Sequence, residues 1–358
     1  MPNVLIVDDS PTARQTLDAI LTSDPEIRVV GFAVDGREAV AKTKLLRPDV
    51  ITMDINMADM NGLDATKEIM IDVPTPIVII SASARAREVE TTMLALRAGA
   101  LTVLEKPLGP LHPHFDVLAK EIADTVKAMA EVAVIRHHRR GVTSPKATSQ
   151  RASEQSTIRA LPLDDPSLRS KVIAIVASTG GPPALAKVLG ELPVDFPIPI
   201  LLVQHIVPSF IEGFARWLDG VIPLHVKVAL DHESLMPSTV YIAPHGHHLG
   251  VSRAKRVCLS DSPPMDGFRP AGTHLFASVA ETYRENAIGI IMTGMGSDGV
   301  LGLKRIHHFG GYTIAQDESS CVVFGMPKAA IEQTVINRVL PLDDIATHLL
   351  QIAKVNAS

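Results

Sequence analysis

Short apolar runs alternate with amphipathic stretches along the first 130 residues. "NVLIVDD", "IRVVGFA", "DVITMDI", "PIVIISA" and "LTVLEKP" are rich in Val, Ile and Leu, and each is followed by a segment with apolar positions at helical spacing, from "PTARQTLDAILTS" to "HFDVLAKEIADTVKAMAE". Single strands separated by single helices predict a doubly wound parallel sheet of five strands and five helices, because parallel neighbours need a crossover connection. A second series starts at Lys171 with "KVIAIVAS", a helical pattern from Pro182 to Leu192, and "IPILLVQH". It continues through "SFIEGFARWL", "HVKVAL", "STVYIAP", "HHLGVSRAKRVCLS", "THLFASVAETYRE", "AIGIIMTG" and "DGVLGLKRIHHF" to "YTIAQD". This half also reads as α/β with a mostly parallel sheet, and strands near residues 240–260 are expected to be antiparallel.

Between the two series the pattern stops. Residues 136–165, "RHHRRGVTSPKATSQRASEQSTIRALPLDD", are rich in Ser, Thr and Gln, with few large apolar residues and no sustained period. The expected organisation is a first domain over 1–130, a flexible linker over 131–168 and a second domain over 169–358. A length of 358 residues with 46% hydrophobic and 20% charged residues suits two such cores. Charge agrees with the division, at −6 for 1–130, +3 for 131–170 and −2 for 171–358. The basic segment lacks interleaved aromatics and a recognition-helix pattern, which argues against a nucleic-acid partner.

Two cysteines, Cys258 and Cys321, exclude a disulfide framework or a Cys-based zinc module and read as reduced, buried thiols. The opening "MPNVLIVDDS" sets aspartates directly behind a short apolar run without a basic flank, and no apolar stretch approaches a bilayer span. A cytoplasmic protein without membrane insertion is the expectation.

Strand ends carry the candidate chemistry of the first domain, because ligands of open parallel sheets bind beyond the strands' carboxyl ends. Asp8 and Asp9 end the first strand, Asp54 the third, Ser81 the fourth and Lys106 the fifth. Three carboxylates at one edge repel one another unless a hard cation neutralises them, and Mg²⁺ suits an all-oxygen donor set. Such a crevice can hold a phosphoryl group on Asp54, with the metal and Lys106 balancing its oxygens.

This array resembles a response-regulator receiver domain, a flavodoxin-like fold, over about the first 130 residues. The resemblance implies that Asp54 is the phospho-acceptor and that Asp8, Asp9 and Asp54 bind Mg²⁺. It also implies that Ser81 contacts the phosphoryl oxygen, that Lys106 before Pro107 reads the change, and that a histidine kinase supplies the phosphoryl group. Two positions depart from the family pattern. Ala58 stands where a proline usually follows the Met after the acceptor, and Val103 occupies the place of an aromatic switch residue.

In the second domain "VASTGGPPAL" ends a strand on Ser178, turns through two glycines and enters a helix at Pro182. A hydroxyl at that tip is expected to lie beside the helix's free N–H groups, where a developing oxyanion is stabilised. "LLVQH" ends on His205, and "IIMTGMGSDG" leads through a glycine-rich loop to Asp298. Nucleophile, base and orienting acid can therefore meet at one sheet edge, in a chain order distinct from those of other serine hydrolases. Alone, Ser178 or Asp298 would read as a helix cap and His205 as a satisfied core histidine.

"ASTGG", "VQH" and "TGMGSDG" in this order behind a receiver resemble the chemotaxis protein-glutamate methylesterases of the CheB family over nearly the whole chain. The resemblance implies that Ser178 is the nucleophile, His205 the general base and Asp298 its orienting carboxylate, with the Met295 N–H in the oxyanion hole. It implies demethylation of glutamate methyl esters on cytoplasmic helices of chemoreceptors, with release of methanol and no cofactor for that step, and a related deamidation of receptor glutamines. His248 in "YIAPHGHHL" matches a recurrent family histidine rather than a zinc ligand, since no carboxylate or Cys stands at ligand spacing. Residues Ala271–His274 replace the family's polar Ser and Asp at a helix start near the site. A CheB-like esterase of another signalling system and a receiver-controlled DNA-binding regulator are the alternatives. The second lacks a helix-turn-helix pattern.

Overall fold

The computed structural model describes residues 1–81, 86–107, 109, 115–132 and 171–354. The expected linker therefore lies, but for its first two residues, outside the described residues.

In the N-terminal half, β1 (Asn3–Val7), α1 (Pro11–Thr22), β2 (Arg28–Ala33), α2 (Gly36–Leu46), β3 (Val50–Met53), α3 (Gly62–Asp72), β4 (Ile77–Ser81), α4 (Ala86–Arg97), β5 (Thr102–Glu105) and α5 (Phe115–Ala130) alternate as expected. The sheet runs β2-β1-β3-β4-β5 with every pair parallel. Side-chain oxygens fix the early helix starts: Ser10 caps α1, Asp35 caps α2 and Asn61 caps α3. β1, β3 and β4 are buried on both faces apart from Asn3, which is why they read as continuous apolar runs.

The C-terminal half contains β6 (Val172–Ala177), α6 (Gly181–Gly190), β7 (Ile200–Gln204), α7 (Ile211–Val221), β8 (His225–Val228), β9 (Thr239–Ile242), β10 (His248–Val251) and β11 (Val257–Ser260). Then follow α8 (Gly272–Tyr283), β12 (Ala287–Ile291), α9 (Val300–His308), β13 (Tyr312–Gln316), α10 (Met326–Glu332), β14 (Arg338–Leu340) and α11 (Leu342–Lys354). Seven strands in the order β14-β13-β12-β6-β7-β9-β8 form a parallel sheet. Antiparallel pairing near 240–260 joins β10 and β11, a separate hairpin, with one isolated bridge between Arg256 and Ser234, whereas β9 joins the main sheet in parallel. The polar stretch between the apolar ends of β9 and β11 had blurred that boundary. The last three elements, beyond "YTIAQD", were not anticipated; β14 is three residues of "RVL", too short to carry a period.

The two halves touch. Helix α4 packs on α6 and α7, and Val322 and Val323 lie against the N-terminal cluster that contains Leu101 and Leu104. Just before β5, the Leu101 carbonyl accepts a hydrogen bond from the Gly180 N–H at 3.1 Å. No helix among the described residues is long and apolar enough to cross a membrane. Both cysteines are free and half-buried, rather than fully buried as expected, and burial pushes the Cys321 thiol up to about 12.

Candidate functional site

At the N-terminal edge the structure brings the five expected residues to one rim. Oxygens of Asp8, Asp9 and Asp54 lie within 4.8 Å of one another. Lys106 Nζ reaches Asp8 Oδ2 at 2.6 Å and Asp54 Oδ1 at 3.2 Å. Burial, aided by the charges of Asp8 and Asp9, pushes the Asp54 carboxyl up to about 6 in spite of Lys106. Burial works against the Lys106 ammonium, but its two carboxylate partners more than offset this and hold its pKa above the ordinary value. Ser81 Oγ, at the end of β4, is buried and has no hydrogen-bond partner among the described residues. One ammonium among three carboxylates leaves negative charge in excess, and a hard, oxygen-loving divalent cation fits that donor set. Of the two departures, Val103 is buried within β5 and Ala58 is exposed.

The second edge is built from the ends of β6, β7 and β12. Ser178 follows β6, and its N–H donates to the Thr293 carbonyl beyond β12 at 3.0 Å. Thr293 Oγ1 donates to the Thr179 carbonyl at 2.9 Å, and the Thr293 N–H donates to Gln316 Oε1 at 2.9 Å. Gly180 turns the chain at φ 75°, in the left-handed region where a side chain is strained. Gly294 presses so closely on Ser178 that a Cβ there would lie 2.7 Å from the serine's Cβ.

His205 follows β7 and pairs with Asp298 at 2.9 Å through Nε2. Neither ring nitrogen makes an aligned hydrogen bond among the described residues, so the Asp298 contact at Nε2 is one of charge and proximity, and Ser178 Oγ is not hydrogen-bonded to Nδ1. Asp298 does not cap α9, whose N-cap is Gly299. Its carboxylate instead accepts the N–H groups of Gly272 at 2.5 Å and Thr273 at 2.9 Å, the first turn of α8. Burial pushes the Asp298 carboxyl up, but His205 and these two N–H groups outweigh it and hold the group below its ordinary value. The departure at Ala271–His274 is thus bridged by the backbone, since peptide N–H groups hold Asp298.

His248 is fully buried in β10. Its Nδ1 accepts the Ala271 N–H at 3.2 Å and its Nε2 faces the Pro263 carbonyl at 3.1 Å, so it is a neutral ring that secures the entry to α8.

One expectation is corrected. The start of α6 offers no free donors beside Ser178: Pro182 and Pro183 have no N–H, the Gly181 N–H goes to the Ser178 carbonyl at 2.8 Å, and the Gly180 N–H goes to Leu101. The Met295 N–H, by contrast, makes no hydrogen bond among the described residues.

Sequence reasoning missed Phe268, whose ring stacks on His205 at 4.3 Å between centroids and 12° between planes. It is delivered by a tight turn in which Met265 and Phe268 exchange backbone hydrogen bonds around Asp266 and Gly267, both at positive φ. The "DG" pair was the available signal.

A parallel sheet with an acidic, lysine-bridged rim, joined in one chain to a hydrolase-like α/β domain, defines the class of receiver-coupled enzymes. Family models match accordingly: the response regulator receiver domain over residues 4–112 and the CheB methylesterase over residues 173–349. The protein-glutamate methylesterase/protein-glutamine glutaminase 4 of Myxococcus xanthus is 46% identical over 97% of this chain and 95% of its own. Its counterpart 3 from Anaeromyxobacter dehalogenans is 47% identical over 98% of both. A crystal structure of the Thermotoga maritima CheB methylesterase catalytic domain, 40% identical, superposes with a TM-score of 0.50 over 51% of this chain and 98% of that one. The chain belongs to the protein-glutamate methylesterase/protein-glutamine glutaminase family.

Proposed function

We propose that this protein hydrolyses the methyl esters of glutamate side chains on cytoplasmic helices of chemoreceptors in chemotactic adaptation. By the same acyl chemistry it deamidates receptor glutamines. The observation that supports this most is the buried His205–Asp298 pair at 2.9 Å, beside the stitched Ser178 turn, in a chain whose relatives carry that activity in their names. The domains in this reading are 1–130 and 169–358, with the cytoplasm as the setting.

In the reaction, His205 Nδ1 takes the Ser178 hydroxyl proton as Oγ attacks the ester carbonyl. Asp298 stabilises the imidazolium that forms on its other side. The tetrahedral oxyanion is received by the Met295 N–H, which makes no hydrogen bond among the described residues. Methanol departs with the proton from Nδ1, or ammonia when the substrate is an amide. A water deprotonated by His205 then cleaves the glutamyl-serine ester and restores Ser178.

In the receiver, Asp54 accepts a phosphoryl group from a histidine kinase, Ser81 donates its hydroxyl to a phosphoryl oxygen, and Lys106 shifts from carboxylate to phosphoryl. Asp8, Asp9 and Asp54 would hold the Mg²⁺, which when bound supplies neutralising charge for the phosphoryl oxygens. The receiver acts on the hydrolase by docking: α4 lies on α6 and α7, and the Leu101 carbonyl occupies the Gly180 N–H two residues from Ser178. The docked face is α4 and the turn into β5, not the acidic rim.

Release of labelled methanol from methylated receptor membranes tests this reading. The full chain is expected to release it faster with a small phosphodonor, and Ser178→Ala to release none. Release by Ser178→Ala equal to that of the unaltered chain would refute it.

A further inference from the structure

The motifs that supply Ser178 and His205 are joined by a side chain that neither role explains. Gln204, the last residue of β7, is buried, and its Nε2 donates to the backbone carbonyl of Ser178 at 2.8 Å and to that of His205 at 2.8 Å. One carboxamide thus ties the peptide of Ser178 to that of His205. The orientation of the amide is set, because turned over it would place Oε1 against two carbonyl oxygens. The ladder between β6 and β7 ends at Ala177 and Gln204, with the His205 N–H to the Ala177 carbonyl at 3.0 Å as its last rung. The Gln204 side chain adds a further rung, beyond the strand ends, to the residues that carry the reacting atoms.

Gly181 supplies an independent observation. Its backbone is not in the left-handed region, so its conformation does not call for glycine. A Cβ on it would lie 2.0 Å from Gln204 Oε1 and 2.9 Å from Gln204 Cδ, with Ala177 Cβ at 3.0 Å. The amide therefore fills the space that a side chain at 181 would need. Oε1 itself is buried with no hydrogen-bond partner among the described residues. An apolar side chain of the same size would fill the place without that orphan, so packing alone does not account for a glutamine here.

We propose that Gln204 is a positioning residue that locks the Ser178 turn to the end of the His205 strand, and that Gly181 is a glycine in order to admit its amide. The inference rests on the roles given to Ser178 and His205 above. Gln204 touches no reacting atom; it acts by holding the hydroxyl and the imidazole in register.

The test uses the full chain with a phosphodonor on methylated receptor membranes, and follows thermal melting in parallel, for Ser178→Ala, Gln204→Ala, Gln204→Glu, Gly181→Ala and the double variant Gly181→Ala/Gln204→Ala. Gln204→Ala should lower kcat roughly 10- to 100-fold with KM within about twofold, since about an ångström of misplacement costs up to about 100-fold in rate. Gly181→Ala should also slow turnover. The double variant should be no slower than the slower single one, because the added methyl acts chiefly through the amide, its nearest contact at 2.0 Å against 3.0 Å to Ala177 Cβ. Gln204→Glu, nearly isosteric, should be slow when ionised opposite two carbonyls. It should recover relative to the unaltered chain as pH falls and a protonated carboxyl donates one bond, a pH response that a purely structural role would not produce. If Gln204→Ala is unfolded at the assay temperature, Gln204→Glu decides by the same criteria.

Glutamine variants within twofold of the unaltered chain, or a double variant in which the two losses multiply, would overturn the inference while an inert Ser178→Ala leaves the function standing. A Ser178→Ala chain with full turnover would remove both.

Discussion

Both halves of the molecule place polar residues at the carboxyl edge of a parallel sheet, but they hold their carboxylates in opposite ways. In the receiver three carboxylates gather around one ammonium, Asp54 is pushed up to about 6, and Ser81 Oγ has no partner among the described residues. That donor set, with negative charge in excess, suits a hard cation and a phosphoryl group. In the hydrolase the carboxylate is fully engaged, with Asp298 fixed by His205 and two N–H groups of α8 and held below its ordinary pKa. The Ser178 turn is stitched to the end of β12. One edge is built to change state on binding, and the other is preorganised for one reaction.

The largest effects should break each edge at its centre. Ser178→Ala and His205→Ala should each lower methyl-ester turnover on the order of 10⁴-fold or more, measured as methanol release, because these residues act as a unit. Asp54→Asn should take up no label from a phosphodonor, and chelation of divalent metal should equally prevent labelling of the unaltered chain. Labelled Asp54→Asn would place the acceptor elsewhere.

Asp298→Asn should cost less, roughly 10³- to 10⁴-fold, since Ser178, His205 and the Met295 N–H remain. The same substitution sharpens the comparison in stability. A carboxyl held below its ordinary value contributes stability that is present above the unfolded value of 3.8 and is lost as pH falls through the folded value. Acid melts should therefore show a smaller loss of stability on that limb for Asp298→Asn than for the unaltered chain. Identical limbs would contradict the engagement of Asp298.

Much of this was legible from strand ends. Period and composition placed Asp8, Asp9, Asp54, Ser81 and Lys106 on one edge, and Ser178, His205 and Asp298 on another, because a parallel sheet sends all its carboxyl ends to the same side. What escaped depends on where backbone groups spend their hydrogen bonds. A Pro182–Pro183 pair could have warned that the start of α6 has few donors, yet the loss of the Gly180 N–H to Leu101 is a contact between distant segments. Likewise Ala271–His274 reads as a departure in side chains, while the groups that hold Asp298 are the peptide N–H groups of Gly272 and Thr273, which any sequence supplies. Gln204 bonds backbone carbonyls, so nothing in the spelling of "VQH" announces its reach to Ser178.

Contact between the halves is the smaller effect and the one that joins them. Leu94 of α4 faces a crevice lined by Arg216, Trp217 and Val221 of α7. Leu94→Asp should weaken the docked arrangement and raise the unphosphorylated rate a few-fold, since Leu94, 38% exposed, contributes only part of a leucine's burial energy, about 1 kcal/mol. An unchanged rate would mean that this part of the contact does not restrain the hydrolase.

The most direct test of the account compares steady-state methanol release by the full chain and by a chain beginning at Ser167, each with and without a phosphodonor. A hydrolase edge complete in itself and withheld by the docked receiver predicts that the shorter chain is faster than the unphosphorylated full chain and does not respond to the phosphodonor. A shorter chain that is no faster than the unphosphorylated full chain would contradict it, and would make the receiver an activator rather than a restraint.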